Sequence, residues 1–152
     1  MKRGPADSED PNPRPSAERI LARRDHGREE LRKKLLRRGF PTAAVEEVLE
    51  DFARRGLLDD GRFALEFARQ ALGKGHGALY IRAKLGARGL RVSGTVCTAA
   101  DEAASLRAFL DRRRLEPKAL TGAAERAKIL RFLRGRGYST AAIQAVLGQD
   151  GD

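Results

Sequence analysis

One stretch, His26 to Leu49, constrains this chain more than any other feature, because a second copy of it closes the sequence and a degraded copy sits between them. The first copy carries Leu31, Leu35, Arg38, Gly39, Phe40, Thr42, Ala43, Ala44, Val45, Val48 and Leu49. In the same register and without a gap, the last carries Ile129, Leu133, Arg136, Gly137, Tyr138, Thr140, Ala141, Ala142, Ile143, Val146 and Leu147. The middle copy opens on His76-Gly77 as the first opens on His26-Gly27, and continues through Ile81, Lys84, Leu85, Arg88, Gly89 and Leu90. It needs one inserted residue to align Val96, Ala99 and Ala100. Three copies of a unit this short imply helical modules that bury their apolar faces against each other.

The unit follows from local physics. Apolar residues at i and i+4 stripe one side of a helix, and a glycine after the arginine takes the left-handed conformation that ends it. The next residue is a hydrophobe placed to fold back on the stripe. A cap signal follows (Thr42, Ser93, or Ser139 with Thr140), and then a second helix. Strand-like alternation is absent at useful length, so the expected fold is all-α: an elongated stack of three tandem three-helix repeats with about nine helices.

The expected organisation is a proline-rich flexible leader over 1–16, repeats over 17–58, 59–100 and 101–148, and a disordered end over 149–152. Within it, Ser16 is expected to cap a helix over 17–24, and helices are expected over 28–38 and 42–55. Asp59 or Asp60 caps the next one, with Phe63, Phe67 and Ala71 on its inner face. The Gly73 to Gly77 segment reads as a flexible link that leaves Lys74 to a partner; it matches no phosphate-loop spacing. Helices over 78–88, 94–100, 101–114, 121–135 and 140–147 complete the set.

The charge excludes some roles and favours others. The 31 Lys and Arg against 21 Asp and Glu leave +10, spread as 0, +3, +4 and +3 over residues 1–17, 18–58, 59–100 and 101–152. The excess belongs to all three repeats, which points to a polyanionic or acidic partner lying along them. No apolar run has the length of a membrane span, and no signal-peptide core opens the chain, so the expected compartment is the cytoplasm. The single Cys97 excludes an internal disulfide and reads as a small core or semi-buried side chain rather than a reactive one. His26 and His76 occupy equivalent turn positions, a structural placement; no cysteine-histidine cluster exists for zinc, and no cofactor or catalysis is expected.

The basic residues expected to meet a partner are Lys33, Lys34, Arg37 and Arg38 of the first repeat, and Lys74, Arg82, Lys84, Arg88 and Arg91 of the second. Arg131, Arg134 and Arg136 belong to the third. The helix over 28–38 is the most basic in the chain and precedes an acidic one bearing Glu46, Glu47, Glu50 and Asp51. A freestanding DNA reader is the alternative, since paired helices with a glycine turn also build major-groove readers. Few Asn or Gln residues are present to read base edges, which argues against it.

Several of these features, in this order, resemble the RecX family of bacterial regulatory proteins. They are Leu31-x-x-x-Leu35-x-x-Arg38-Gly39-Phe40; Gly56-Leu57-Leu58-Asp59-Asp60 followed by Arg62-Phe63-Ala64; Lys74-Gly75-x-Gly77 ahead of Ile81-Arg82-x-Lys84-Leu85-x-x-Arg88-Gly89; and Leu130-x-Phe132-Leu133-x-x-Arg136-Gly137-Tyr138. The resemblance implies a modulator, mainly an inhibitor, of the RecA recombinase, acting in homologous recombination, DNA repair and the SOS response. It implies a protein lying in the groove of the RecA filament on single-stranded DNA, reducing filament extension, ATP hydrolysis and strand exchange. The expected partners are thus the RecA filament and, weakly and without sequence preference, single-stranded DNA; the chain itself is expected to be a monomer and to avoid membranes. Its departures are a middle repeat whose third helix is rich in Gly, Ser and Thr, and the proline-rich leader.

Overall fold

A computed structural model describes residues 11–90 and 94–148; the expected leader before residue 11 and the expected end after residue 148 lie outside them. Among the described residues the fold is all-helical, with α1 (Arg14–Arg23), α2 (Arg28–Arg37), α3 (Thr42–Arg54), α4 (Asp60–Gly73), α5 (Ala78–Ala87), α6 (Ala99–Arg112), α7 (Ala123–Gly135) and α8 (Thr140–Leu147). One 3-10 turn, Pro117–Ala119, lies between α6 and α7. The chain divides into two compact units, Met1–Phe63 with Arg88–Arg91, and Ala64–Ala87 with Val92–Asp152.

In the first unit Leu31 and Leu35 of α2 meet Val45, Val48, Leu49 and Phe52 of α3 and Ala17 and Ile20 of α1 in one buried cluster. α2 stops where the sequence stops it: Gly39 takes φ +88, and Phe40 folds back against the cluster. α1 begins three residues ahead of the expected start. Pro15 sits in its first turn, where the missing N–H costs nothing, and Ser16 is a buried helical residue that accepts a hydrogen bond from Arg38 Nη1 at 2.6 Å. Thr42 likewise does not cap α3, whose N-cap is Pro41.

In the second unit Leu106, Phe109 and Leu110 of α6 pack with Leu133, Tyr138, Ile143 and Leu147. Ser139 caps α8 as expected, its Oγ accepting from the Ala142 N–H at 3.2 Å. Asp59 rather than Asp60 caps α4, accepting from the Arg62 N–H at 3.0 Å. The buried line of α4 is Ala64, Ala68 and Ala71, while Phe63 and Phe67 are only half-buried; the alanines allow close helix approach and displace the larger rings to the margin.

The helix expected over 94–100 does not form. Gly94 has φ +105, and Thr95 and Val96 are β-branched, so a short helix there has poor propensity. Thr98 instead begins α6 with a reciprocal capping box: its hydroxyl accepts from the Asp101 N–H and Asp101 accepts from the Thr98 N–H, both at 3.0 Å.

Two joints repeat one design. In the first unit Leu90, of the Gly89-Leu90 turn, covers Gly27 ahead of α2, and Asp60 Oδ1 accepts from the Arg28 N–H at 2.9 Å. In the second unit the Gly137-Tyr138 turn packs on Gly77 ahead of α5. There Gly77 N–H donates to the Arg136 carbonyl and Leu79 N–H to the Gly137 carbonyl, both at 3.0 Å. Glu102, 3% exposed, accepts from the Ala78 N–H at 3.0 Å, the Ser139 N–H at 2.7 Å and the Ser139 hydroxyl at 2.6 Å. The Gly73 to Gly77 segment is therefore a shaped receptor for the following repeat's turn rather than a loose link. At the position equivalent to Gly27 and Gly77 the third copy has an exposed Glu125.

Candidate partner-binding surface

The acidic helix sorts the basic one. Arg28 pairs with Glu50 at 3.0 Å, and Arg32 pairs with Glu46 and with Glu29. Arg14 pairs with Asp51 at 2.7 Å. These pairs are on the surface and contribute little to stability, about 0–1 kcal/mol each, but they occupy the cations that face α3. Lys33 and Arg37, one turn apart on α2, stay exposed.

Lys34 and Arg38 have partners within the fold, Lys34 half-buried and Arg38 still exposed. Arg38 reaches Ser16, and Lys34 Nζ lies 2.8 Å from His26 Nε2. His26 Nδ1 lies 2.9 Å from the Arg24 carbonyl. A carbonyl only accepts and an ammonium only donates, so the imidazole is neutral with its proton on Nδ1. Burial, with the positive charges of Arg24 and Lys34, holds its pKa below the usual value despite the Arg24 carbonyl and Glu30 pulling upward. His76 is stacked on Tyr80 with ring centres 3.7 Å apart, and burial followed by the charge of Arg136 lowers its pKa as well.

A lowered folded-state pKa means that the unfolded chain takes up protons first as pH falls. The stability these rings contribute is complete above about 6.5 and declines below it, until the folded-state values are passed. The carboxylates of Asp51, Glu66 and Asp101 are shifted downward and titrate lower still. Urea unfolding is thus expected to show a falling midpoint between about pH 7 and pH 5, and a His26→Gln, His76→Gln variant is expected to flatten that slope.

In the second unit, Arg82 and Lys84 are exposed on α5, which carries no acidic residue; Lys84 lies over Tyr80 at 5.6 Å. Arg82 is the repeat equivalent of Arg32, yet the middle repeat lacks the acidic helix that neutralises the first. Lys74, Arg131 and Arg134 are exposed too. Arg136 is not: its Nε donates to the Gly75 carbonyl at 2.9 Å and its Nη2 to the Lys74 carbonyl at 2.7 Å, which latches the joint. Arg88, of the first unit, is half-buried with its guanidinium 5.7 Å from the Phe63 ring centre. Arg91 lies outside the described residues.

Sequence reasoning passes over Arg112 and Arg113 as the end of a helix. Arg112 donates to the Gly73 carbonyl at 3.3 Å, and Arg113 lies over both Phe109 and Phe132, at 5.0 and 5.1 Å. The i, i+4 spacing of Phe109 and Arg113 is the signal that could have found Arg113; Arg112's partner is distant in sequence and carries no such mark.

These exposed ammonium and guanidinium groups suit carboxylates or phosphates. Among the described residues no cluster of His, Cys, Asp and Glu is suited to a metal ion, and no helix is long and apolar enough to cross a membrane. Cys97 is semi-buried, and burial, followed by the nearby Glu102 and Asp101 charges, pushes its thiol up to about 11, far from a reactive thiolate.

Comparison with known proteins agrees with this architecture. The family model for the RecX first three-helix domain matches residues 16–52, and that for the RecX third three-helix domain matches residues 100–147. The chain is 40% identical to the regulatory protein RecX of Chromohalobacter salexigens, over 86% of this chain and 88% of that protein. It is 37% identical to the regulatory protein RecX of Pseudomonas entomophila, over 86% and 87%. The crystal structure of RecX from Lactobacillus salivarius shares the fold, with a TM-score of 0.70 at 16% identity over 88% of this chain and 90% of that one. Identity of this degree, sustained along nearly the whole of both sequences, places this chain in the RecX family.

Proposed function

We propose that this protein is a regulator of the RecA recombinase that binds the RecA–single-stranded DNA filament and chiefly restrains it, reducing filament extension, ATP hydrolysis and strand exchange. The observation that carries this reading is that relatives named regulatory protein RecX match along the chain while each repeat keeps exposed cations. On this reading the repeats over 17–58, 59–100 and 101–148 each offer contacts to the filament. The contacts come from Lys33, Arg37, Lys74, Arg82, Lys84, Arg131 and Arg134. Lys34, Arg38 and Arg136 hold those surfaces in shape. The protein works as a cytoplasmic monomer and touches single-stranded DNA weakly and without sequence preference.

Single-stranded-DNA-dependent ATP hydrolysis by the cognate RecA, titrated with this protein at fixed salt, tests the reading. Inhibition is expected far below the concentration at which the protein coats free DNA. Inhibition only at DNA saturation would make it a competitor for DNA, the freestanding DNA-binding alternative. A Lys33→Glu, Arg37→Glu, Arg82→Glu, Lys84→Glu variant is expected to inhibit about tenfold less well with unchanged helicity, since opposed charge on an interface is repulsive and all four side chains are exposed.

A further inference from the structure

The third repeat carries an exposed aromatic, Phe132. In the repeat register Phe132 stands where the first two copies have Lys34 and Lys84. Lys34 serves His26, and Lys84 lies over Tyr80 beside His76; the third copy has Ala124 in place of that histidine. Phe132 thus has no joint to serve, and it is 38% exposed, the one aromatic among the large hydrophobic side chains that face solvent in the described residues.

Its surroundings are ordered. Phe109, 5% exposed, stacks against Phe132 with centroids 6.0 Å apart and planes 25° apart. Arg113 lies over both rings at 5.0 and 5.1 Å, and Arg136, pinned by two carbonyls, lies over Phe109 at 5.3 Å. The outermost ring is therefore held by its neighbours before any ligand arrives. Lys128, exposed, lies one turn back from Phe132 on the same stripe of α7, whereas Arg131 projects from the adjoining side of the helix and Arg134 from nearly the opposite one. The acidic groups on these helices are Glu125, a further turn back beyond Lys128, and Asp101, Glu102 and Asp111 of α6, of which Asp111 lies well round the helix from Phe109 and Arg113.

We propose that Phe132 and Arg113 form a stacking site for an unpaired base of single-stranded nucleic acid, with Lys128, one turn back on the same face of α7, holding its phosphate. An exposed ring offers a base its face, a guanidinium stacks on either π system, and a cation on the same face neutralises the backbone. Such a site is indifferent to sequence, because every base has a π face. This inference rests on the single-stranded DNA contact proposed above and assigns that contact a location and a chemistry.

The test is binding of fluorescent oligo-dT and of an abasic oligomer of equal length, without RecA, at several salt concentrations. Wild type is expected to prefer oligo-dT. Phe132→Leu is expected to weaken oligo-dT binding about tenfold, leave abasic binding unchanged and keep the salt slope, since it removes a ring and no charge. Arg113→Lys, which keeps the charge but loses the planar group, is expected to act in the same direction. Equal losses on the two oligomers, no loss with either variant, or no measurable oligo-dT binding at low salt would overturn the proposal, including a patch that serves a protein partner instead. Wild-type inhibition of RecA ATP hydrolysis is read beside it. A dT-specific loss without ATPase inhibition would leave the stacking site standing and remove the filament reading.

Discussion

Replacing Glu102 with alanine is expected to destabilise the protein by about 3 kcal/mol, lowering the melting temperature by roughly 10 °C. The carboxylate takes hydrogen bonds from the first N–H of α5, from the N–H of the α8 cap residue and from that residue's hydroxyl. Alanine strands two backbone donors in a site where the side chain is 3% exposed, and an unsatisfied buried donor costs about 1–3 kcal/mol. The informative comparison is Glu102→Gln, which keeps an oxygen for the two N–H groups and turns an amide toward Ser139 Oγ, which can accept. Its expected cost is about 1 kcal/mol, the loss of charge assistance. Asp60→Ala, which removes a single bond to the Arg28 N–H at the other joint, is also expected to cost about 1 kcal/mol. Circular dichroism with urea titration ranks the three, and equal costs at Glu102 and Asp60 would refute the assignment of Glu102 as the shared clip.

The legibility of these features in the sequence varies with how local their causes are. The apolar stripe at Leu31 and Leu35, the Gly39 stop and the Ser139 cap are set within a few residues, so spacing alone places them. The start of α1 escapes such a reading because prolines look like leader, although the first turn of a helix accepts them. The receptor at Gly73 to Gly77 reads as a link because glycine reports only permitted backbone, not the turn that fills it. Among the candidate site residues, charge identifies the cations but not their employment. Lys34, Arg38 and Arg136 differ from Lys33 and Arg37 only in what lies across from them: His26, Ser16, and the carbonyls of Lys74 and Gly75. Those partners are distant in sequence, or bear no charge that would mark them. The repeat register is the better guide, because it shows His26-Gly27 and His76-Gly77 to be one device used twice.

Gly77→Ala is expected to cost about 3 kcal/mol or more. A Cβ there would lie 2.4 Å from Tyr138 Cα and 2.5 Å from the Gly137 carbonyl oxygen and the Tyr138 nitrogen. All three are backbone atoms of a turn fixed by Glu102, by Arg136 and by the N–H of Gly77 itself, so none can move without breaking the others. At Gly27, the equivalent position, the added methyl meets the Leu90 side chain at 3.1 Å, which can rotate away; about 1 kcal/mol is expected. Gly86→Ala, in the last turn of α5 with open space around it, is expected to stabilise by about 0.8 kcal/mol through helix propensity alone. One substitution at three glycines thus separates backbone clash, side-chain adjustment and propensity. If Gly77→Ala cost no more than Gly27→Ala under urea titration, the close backbone approach at the second joint would be wrong. If it cost several times more while helicity survived at low temperature, the second and third repeats would be held together by the turn packing on Gly77, a contact that only a residue without a side chain permits.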